Sequence, residues 1–317
     1  MTNIIPINPK LSHLSPVAPV VDYDRLLSDW LATKRSAHTR RVYRQDIDAF
    51  LSETESTLGK FLAGDRYQSF ETVSIYKGEM LTGGLKSATI NRRLSAIKSL
   101  VSYAYSSGHC EFNLENVKGE KIQGYRDTSG IDADSFRRVL AVCDRSTIKG
   151  IRDYALLVLL WSNALRRSEV SNANIGDFDR EMARLRILGK GRGEYEYISL
   201  SEKTVNALND WLGARGETNP DQPLFCSVNP AYSEGRLSVN GIYNIVSERS
   251  AQAGINKRMS PHRVRHSSIT AALDATGGDV RKVQKLSRHS NLNTLMIYDD
   301  NRRNHQGEVS DLLNDLI

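Results

Sequence analysis

From residue 23 onward, apolar positions recur with the period of a helix. Leu26, Leu27, Trp30 and Leu31 follow Tyr23 at i, i+3 and i+4 spacing, which predicts an amphipathic helix. A second helix is predicted over 37–51, with Tyr43, Ile47 and Phe50 on one face. A third runs through 72–81 and stops at Gly83-Gly84. A fourth starts near Ser87, carries Ile90, Leu94, Ile97, Leu100, Val101 and Ala104, and ends at Gly108. Nothing before residue 111 alternates as a strand does, so 21–111 reads as a four-helix bundle. Ahead of it Pro6, Pro9, Pro16 and Pro19 interrupt any period, and residues 1–20 are expected to form a flexible N-terminal tail.

The pattern changes after residue 111. Residues 112–130, FNLENVKGEKIQGYRDTSG, mix polar residues with glycines and hold no period, which predicts an interdomain linker. Helical periods return over 132–142 and 151–163. The run YALLVLLW at 154–161 is far shorter than the ~20 residues that span a bilayer, so it predicts a buried helix. Then the period drops to two. Leu185 and Ile187 lie before Gly189-Lys190-Gly191-Arg192-Gly193, and Tyr195, Tyr197 and Ser199 lie after it, which predicts a β-hairpin with a glycine-rich turn. Helices follow at 202–214, 238–252, 261–275 and 279–287. A last amphipathic stretch, 309–317, carries Leu312, Leu313 and Leu316. The chain as a whole reads as mainly α with one small β-hairpin: a helical bundle, then a mixed α/β domain over 131–317.

Composition adds little until charge is mapped. The 317 residues carry 43 Lys and Arg against 37 Asp and Glu, a net charge of only +6. The excess is uneven. Residues 34–44 hold Lys34, Arg35, Arg40, Arg41 and Arg44 without an acid, and 86–98 hold Lys86, Arg92, Arg93 and Lys98 without one. Two further acid-free basic runs lie at 257–265 and 281–288. Any one run is explained by a solvated helix face. Four of them favour a track along a phosphate backbone, with Arg40, Arg41, Arg44, Arg92, Arg93 and Lys98 as candidate DNA contacts. Cys110, Cys143 and Cys226 are too widely spaced for a CxxC pair, and an odd count disfavours a disulfide framework. With no secretory leader and no membrane span, a cytoplasmic protein with reduced thiols is expected. No HExxH, paired-carboxylate or Walker-type motif is present, so neither a metal nor another cofactor is expected.

Several elements look ordinary alone. Arg166 and Glu169 lie in ALRRSE at the start of a helix. Lys190 sits in the hairpin turn. His262 and Arg265 share PHRVRH, His289 ends LSRH, and Tyr298 follows nine residues later. Taken in order, they resemble the tyrosine recombinase, or phage integrase, family. That family shows an Arg in a G-L-R-x-x-E helix, a Lys in a GKG-type β-turn, an H-x-x-R motif, a G-H motif, and a Tyr nine residues beyond. The stretches TRRVYRQDIDAF (39–50) and SATINRRLSAIKSL (87–100) resemble helices of its N-terminal core-binding bundle, so the resemblance covers about 22–317.

The resemblance implies a set of roles. Arg166 and Arg265 hold the non-bridging oxygens of a phosphodiester, for which a fixed, always-charged fork is suited. Tyr298 is the nucleophile, His262 its proton acceptor, Lys190 the acid for the leaving 5′-oxygen, and His289 a further phosphate contact. Glu169 is expected to support the Arg166 helix. The implied partner is double-stranded DNA at specific sites, acted on by a tetramer. The C-terminal helix is expected either to fold back on its own domain or to pass to a neighbouring protomer. Ala164 and Arg288 stand where the family has glycine, and Asp299-Asp300 follow the tyrosine. Ala164 is a small change unless the position needs positive φ; Arg288 either strains its turn or adds a phosphate contact. A type IB topoisomerase, and a DNA-binding protein without catalysis, are the rival readings.

Overall fold

The computed structural model describes residues 22–121, 130–189, 194–228, 235–289, 295 and 305–316. The chain divides into two compact units, 1–125 and 126–317. The expected N-terminal tail lies outside the described residues.

The first unit holds α1 (Tyr23–Ala32), α2 (Ala37–Glu53), α3 (Leu58–Leu62), α4 (Arg66–Thr82) and α5 (Ser87–Ser106). Local chemistry sets the boundaries. Asp22, Ser36, Thr57 and Asp65 each accept a hydrogen bond from a first-turn N–H, which satisfies one of the donors a helix start leaves open. Helix α5 closes through Ser107 and Gly108, whose φ of 75° suits a residue without a Cβ. The core joins Trp30, Ile47, Phe50, Phe61, Tyr76, Ile90, Ile97 and Leu100, all buried. Phe50 meets Phe61 and Tyr76 edge-on at 4.9 and 5.1 Å.

The predicted bundle departs from the structure at three places. Helix α3 was not expected, because five residues are too few to display a period. Helix α4 begins six residues before the predicted start, because its first turns leave Tyr67 and Phe70 exposed and blur the apolar stripe. The linker does not begin at 112. Phe112, Leu114 and Val117 are buried in the core of the first unit, and Phe61 packs edge-on against Phe112. Polar clamps hold the same segment. Asn91 receives the Glu120 N–H at 2.7 Å and donates to the Glu120 carbonyl at 2.9 Å. Lys77 pairs with the Glu120 carboxylate at 2.6 Å.

The second unit holds α6 (Ala133–Ala141), α7 (Ile148–Ser162) and α8 (Arg167–Asn172), then β1 (Phe178–Asp179), β2 (Arg184–Leu188) and β3 (Tyr195–Ser199). It continues with α9 (Glu202–Arg215), α10 (Val239–Gln252), α11 (Pro261–Ala275), α12 (Val280–Ser287) and α13 (His305–Asn314). Helix α7 is the YALLVLLW helix. Leu156, Leu157, Leu159 and Leu160 are all buried, as expected of a helix apolar on every side. It packs against α9 and α11. Asp153 on α7 is fully buried between Arg152 and Arg249, which ties α7 to α10.

The hairpin strands pair antiparallel, with Arg186 opposite Tyr197 and Leu188 opposite Tyr195. Leu185 and Ile187 point into the core, and Arg184 and Arg186 point out, stacked on Tyr197 and Tyr195. The two-residue strand β1 extends the hairpin to a three-stranded sheet that the period alone did not reveal. No helix among the described residues is long and apolar enough to cross a membrane.

Candidate active site

Arg166 stands at the junction of α7 and α8. After α7 the chain reverses through Ala164, whose φ is 46°. The Leu165 N–H reaches back to the Leu160 carbonyl at 3.3 Å, closing the turn. The position therefore does need positive φ, and a methyl there costs about 1 kcal/mol relative to glycine. Arg166 then caps α8. Its N–H donates to Glu169 Oε2 at 2.8 Å, and its Nη1 donates to Glu169 Oε1 at 2.7 Å. Glu169 is buried and supports Arg166 as expected.

Helix α11 starts at Ser260, whose hydroxyl caps the first turn, with Pro261 as its first helical residue. That fixes His262 and Arg265 near the start of the helix. Arg265 is only 2% exposed. Its Nη1 donates to the Ala164 carbonyl and its Nη2 to the Ser287 carbonyl. The same Nη2 lies 3.3 Å from His289 Nε2. One guanidinium thus joins the turn before Arg166 to the end of α12, where His289 follows. Its two carbonyl partners are Ala164 itself and the residue before Arg288, so it binds both turns in which the family has glycine.

His289 reports how closely the charges converge. Burial pushes its imidazole down to about 4, and Arg265, Arg166, Arg288 and His262 push in the same direction. At neutral pH it is neutral, able to offer one ring N–H to an oxyanion. The site residues are therefore brought together for four of the six positions: Arg166, His262, Arg265 and His289. Lys190 and Tyr298 lie outside the described residues, as do Asp299 and Asp300. Two guanidinium groups, two imidazoles and a buried carboxylate make a cationic cluster, a set of groups whose chemistry suits an anionic, tetrahedral group.

Two residues matter here that the motif did not mark. His266 lies one turn beyond His262, and their Nε2 atoms are 2.7 Å apart with the rings at 86°. The i, i+4 spacing of the two histidines was the available signal. Arg288 is the second. It adopts φ 56° as the C-terminal cap of α12, so its turn is the left-handed one that favours glycine. Its guanidinium is not presented as a phosphate contact. It is buried against Glu169 Oε2 at 3.0 Å and lies 3.4 Å from Glu196.

The candidate DNA-contact residues of the first unit are all engaged inside that unit. Arg92 pairs with buried Asp46 at 3.0 Å. Arg93 meets Glu53 at 3.1 Å and donates to the Tyr76 hydroxyl at 2.7 Å. Arg44 pairs with Asp48 at 3.0 Å, and Arg40 donates to the Lys34 carbonyl at 2.7 Å. Arg41 lies 3.4 Å from His38 Nδ1, and Lys98 donates to the Val117 carbonyl at 3.0 Å. The runs are acid-free along the chain but not in space, because α2 turns its own acids, Asp46, Asp48 and Glu53, toward them. Burial pushes the Asp46 carboxyl above its usual range, with Arg92 and Arg93 pulling it back. Among the described residues no group of His, Cys, Asp and Glu is arranged to hold a metal ion.

The second of the two units thus gathers Arg166, His262, Arg265 and His289 into one cationic cluster. Known proteins then supply the family. Residues 130–305 match the model of the phage integrase family, and 22–108 match that of the phage integrase N-terminal SAM-like domain. A tyrosine recombinase of Synechocystis sp. is 49% identical over 298 residues, covering 92% of this chain and 95% of the relative. One from Synechococcus elongatus is 44% identical over 308 residues, covering 95% and 96%. Among solved structures, the XerH site-specific recombinase bound to a palindromic difH substrate matches with a TM-score of 0.66 at 22% identity, over 87% of this chain and 80% of that one. The chain belongs to the phage integrase family, the tyrosine recombinases.

Proposed function

We propose that the chain is a site-specific DNA recombinase that cuts and rejoins strands through a 3′-phosphotyrosyl intermediate. The observation that carries this is the convergence of Arg166, His262, Arg265 and His289, four residues spread over more than a hundred positions of sequence, into one cationic cluster. Arg166 and Arg265 hold the non-bridging oxygens as charge builds on the phosphorane, and neutral His289 donates to one of them. The Tyr298 oxygen attacks phosphorus and its proton passes to His262. The bond from phosphorus to the 5′-oxygen breaks, and Lys190 protonates that oxygen. An incoming 5′-hydroxyl reverses the steps and releases the tyrosine. The phosphotyrosyl ester keeps the energy of the broken bond, so the scheme requires neither ATP nor a metal. Two such exchanges on paired duplexes pass through a Holliday junction, with a tetramer as the working assembly.

Relatives that carry recombinase names over nearly their whole length support this reading, and the topoisomerase alternative is not favoured. DNA as the partner is supported by the similar fold of the XerH recombinase, which was solved bound to its difH substrate. The domain organisation that accompanies the proposal is a DNA-gripping helical unit and a catalytic unit, with α13 passing to a neighbour. Leu312, Leu313 and Leu316 are 64%, 59% and 79% exposed, which leaves an apolar strip available to a neighbour.

The test begins by selecting bound duplexes from a random pool with the full chain. A nicked duplex carrying the selected site is then offered as a suicide substrate. A covalent protein–DNA adduct is expected from the parent and none from Tyr298→Phe, with Arg166→Ala slowing adduct formation by about a hundredfold or more. No adduct from the parent on a duplex it binds tightly sinks the proposal.

A further inference from the structure

Arg288 adopts a left-handed backbone where glycine would fit without strain, yet the position carries a long cation. That cation is turned inward, and its side chain is 9% exposed. Its Nη2 donates to Glu169 Oε2 at 3.0 Å, and its Nε lies 3.4 Å from Glu196 Oε1. Its Nη1 donates to the Leu286 carbonyl at 2.8 Å and to the Asn163 carbonyl at 3.3 Å. These partners come from separate pieces of the fold. Asn163 ends α7, Glu169 lies on α8 and also holds Arg166, and Glu196 lies on β3, the strand that leaves the hairpin turn. Arg288 itself directly precedes His289.

The charges matter as much as the links. Buried Glu169 faces Arg166 on one oxygen and Arg288 on the other. Without Arg288 its one guanidinium partner among the described residues is Arg166, and its negative charge offsets the charge that Arg166 brings to a phosphate. With Arg288 present, that carboxylate is balanced from the other side.

We infer that Arg288 is a positioning residue: its guanidinium, joined to Glu169 and Glu196, holds the Arg166 helix and the hairpin strand as one unit and keeps the charge of Arg166 available to the phosphate. The role is specific to a chain with Arg, rather than glycine, before the histidine. It rests on the recombinase reading above.

The experiment uses the full chain and the nicked duplex selected by the parent, and measures adduct formation at saturating protein alongside DNA affinity. Arg288→Gly, which suits the backbone, is expected to slow adduct formation by about tenfold to a hundredfold with affinity little changed, as displaced catalytic groups do. Arg288→Lys restores the charge but not the fork, and is expected to recover part of the rate. Glu196→Gln, on a partly exposed strand position, is expected to slow the step by a smaller factor, and its loss should not add to that of Arg288→Gly. Should Arg288→Gly fail to fold, Glu196→Gln carries the test alone. A parent-like rate in either variant, additive losses, or a rate loss matched by an equal loss of affinity overturns the inference. A parent that forms no adduct overturns instead the reading on which it rests.

Discussion

At the scale of single residues, the site is a case of burial and charge acting together on a few groups. His289 is held near 4 in the folded chain, against about 6.5 for an unperturbed imidazole. The unfolded chain therefore binds a proton that the fold refuses. The contribution of the neutral group is complete above about pH 6.5 and is lost as the pH falls toward 4. Thermal unfolding across that window is expected to show a steeper loss of Tm in the parent than in His289→Gln, and equal slopes would contradict the assignment. The thiols have no comparable part. All three cysteines are free and buried, and burial pushes Cys143 up to about 11, which keeps it a thiol at neutral pH.

At the scale of elements, the boundary of the helical unit is the clearest revision. Residues 112–121 look like a linker because they are polar and glycine-containing, and too short to show a period. Their three apolar side chains nonetheless enter the core of the first unit. Phe112→Ala in the full chain is expected to cost about 3–5 kcal/mol in denaturant unfolding of that unit, as for a buried aromatic elsewhere. A true linker position would change stability by less than about 0.5 kcal/mol. Helix α13 presents the opposite situation, an amphipathic element whose leucines remain exposed. Deleting 308–317 is expected to leave the rest of the fold intact and to weaken cooperative binding to paired sites by about tenfold or more, given what burying three leucines contributes. Equal cooperativity in the truncated protein would remove the case for exchange between protomers.

At the scale of the whole molecule, each unit has its own buried core, and the candidate catalytic groups that are described all lie in the second. The helices were legible in the sequence because their apolar stripes are local, and the structure starts them on equally local caps, Asp22, Ser36, Ser201, Ser238, Ser260 and Asp279. The candidate catalytic residues were named in the sequence through the family resemblance, because their types and their order along the chain survive without coordinates. The short helix α3, the strand β1 and the packed segment after 111 were not legible, since what stabilises them comes from residues distant in sequence. The same holds for charge. Sequence showed basic runs without acids, and only folding brought Asp46 and Glu53 beside Arg92 and Arg93. It showed Arg288 as a departure from glycine, and only folding gave it Glu169 and Glu196 as partners. Sequence by itself determined the longer helices, the hairpin and the order of the candidate catalytic residues, because backbone propensity and chemical identity are local. The tertiary structure decided which charges meet, because electrostatic partners are set by distance in space rather than by spacing along the chain.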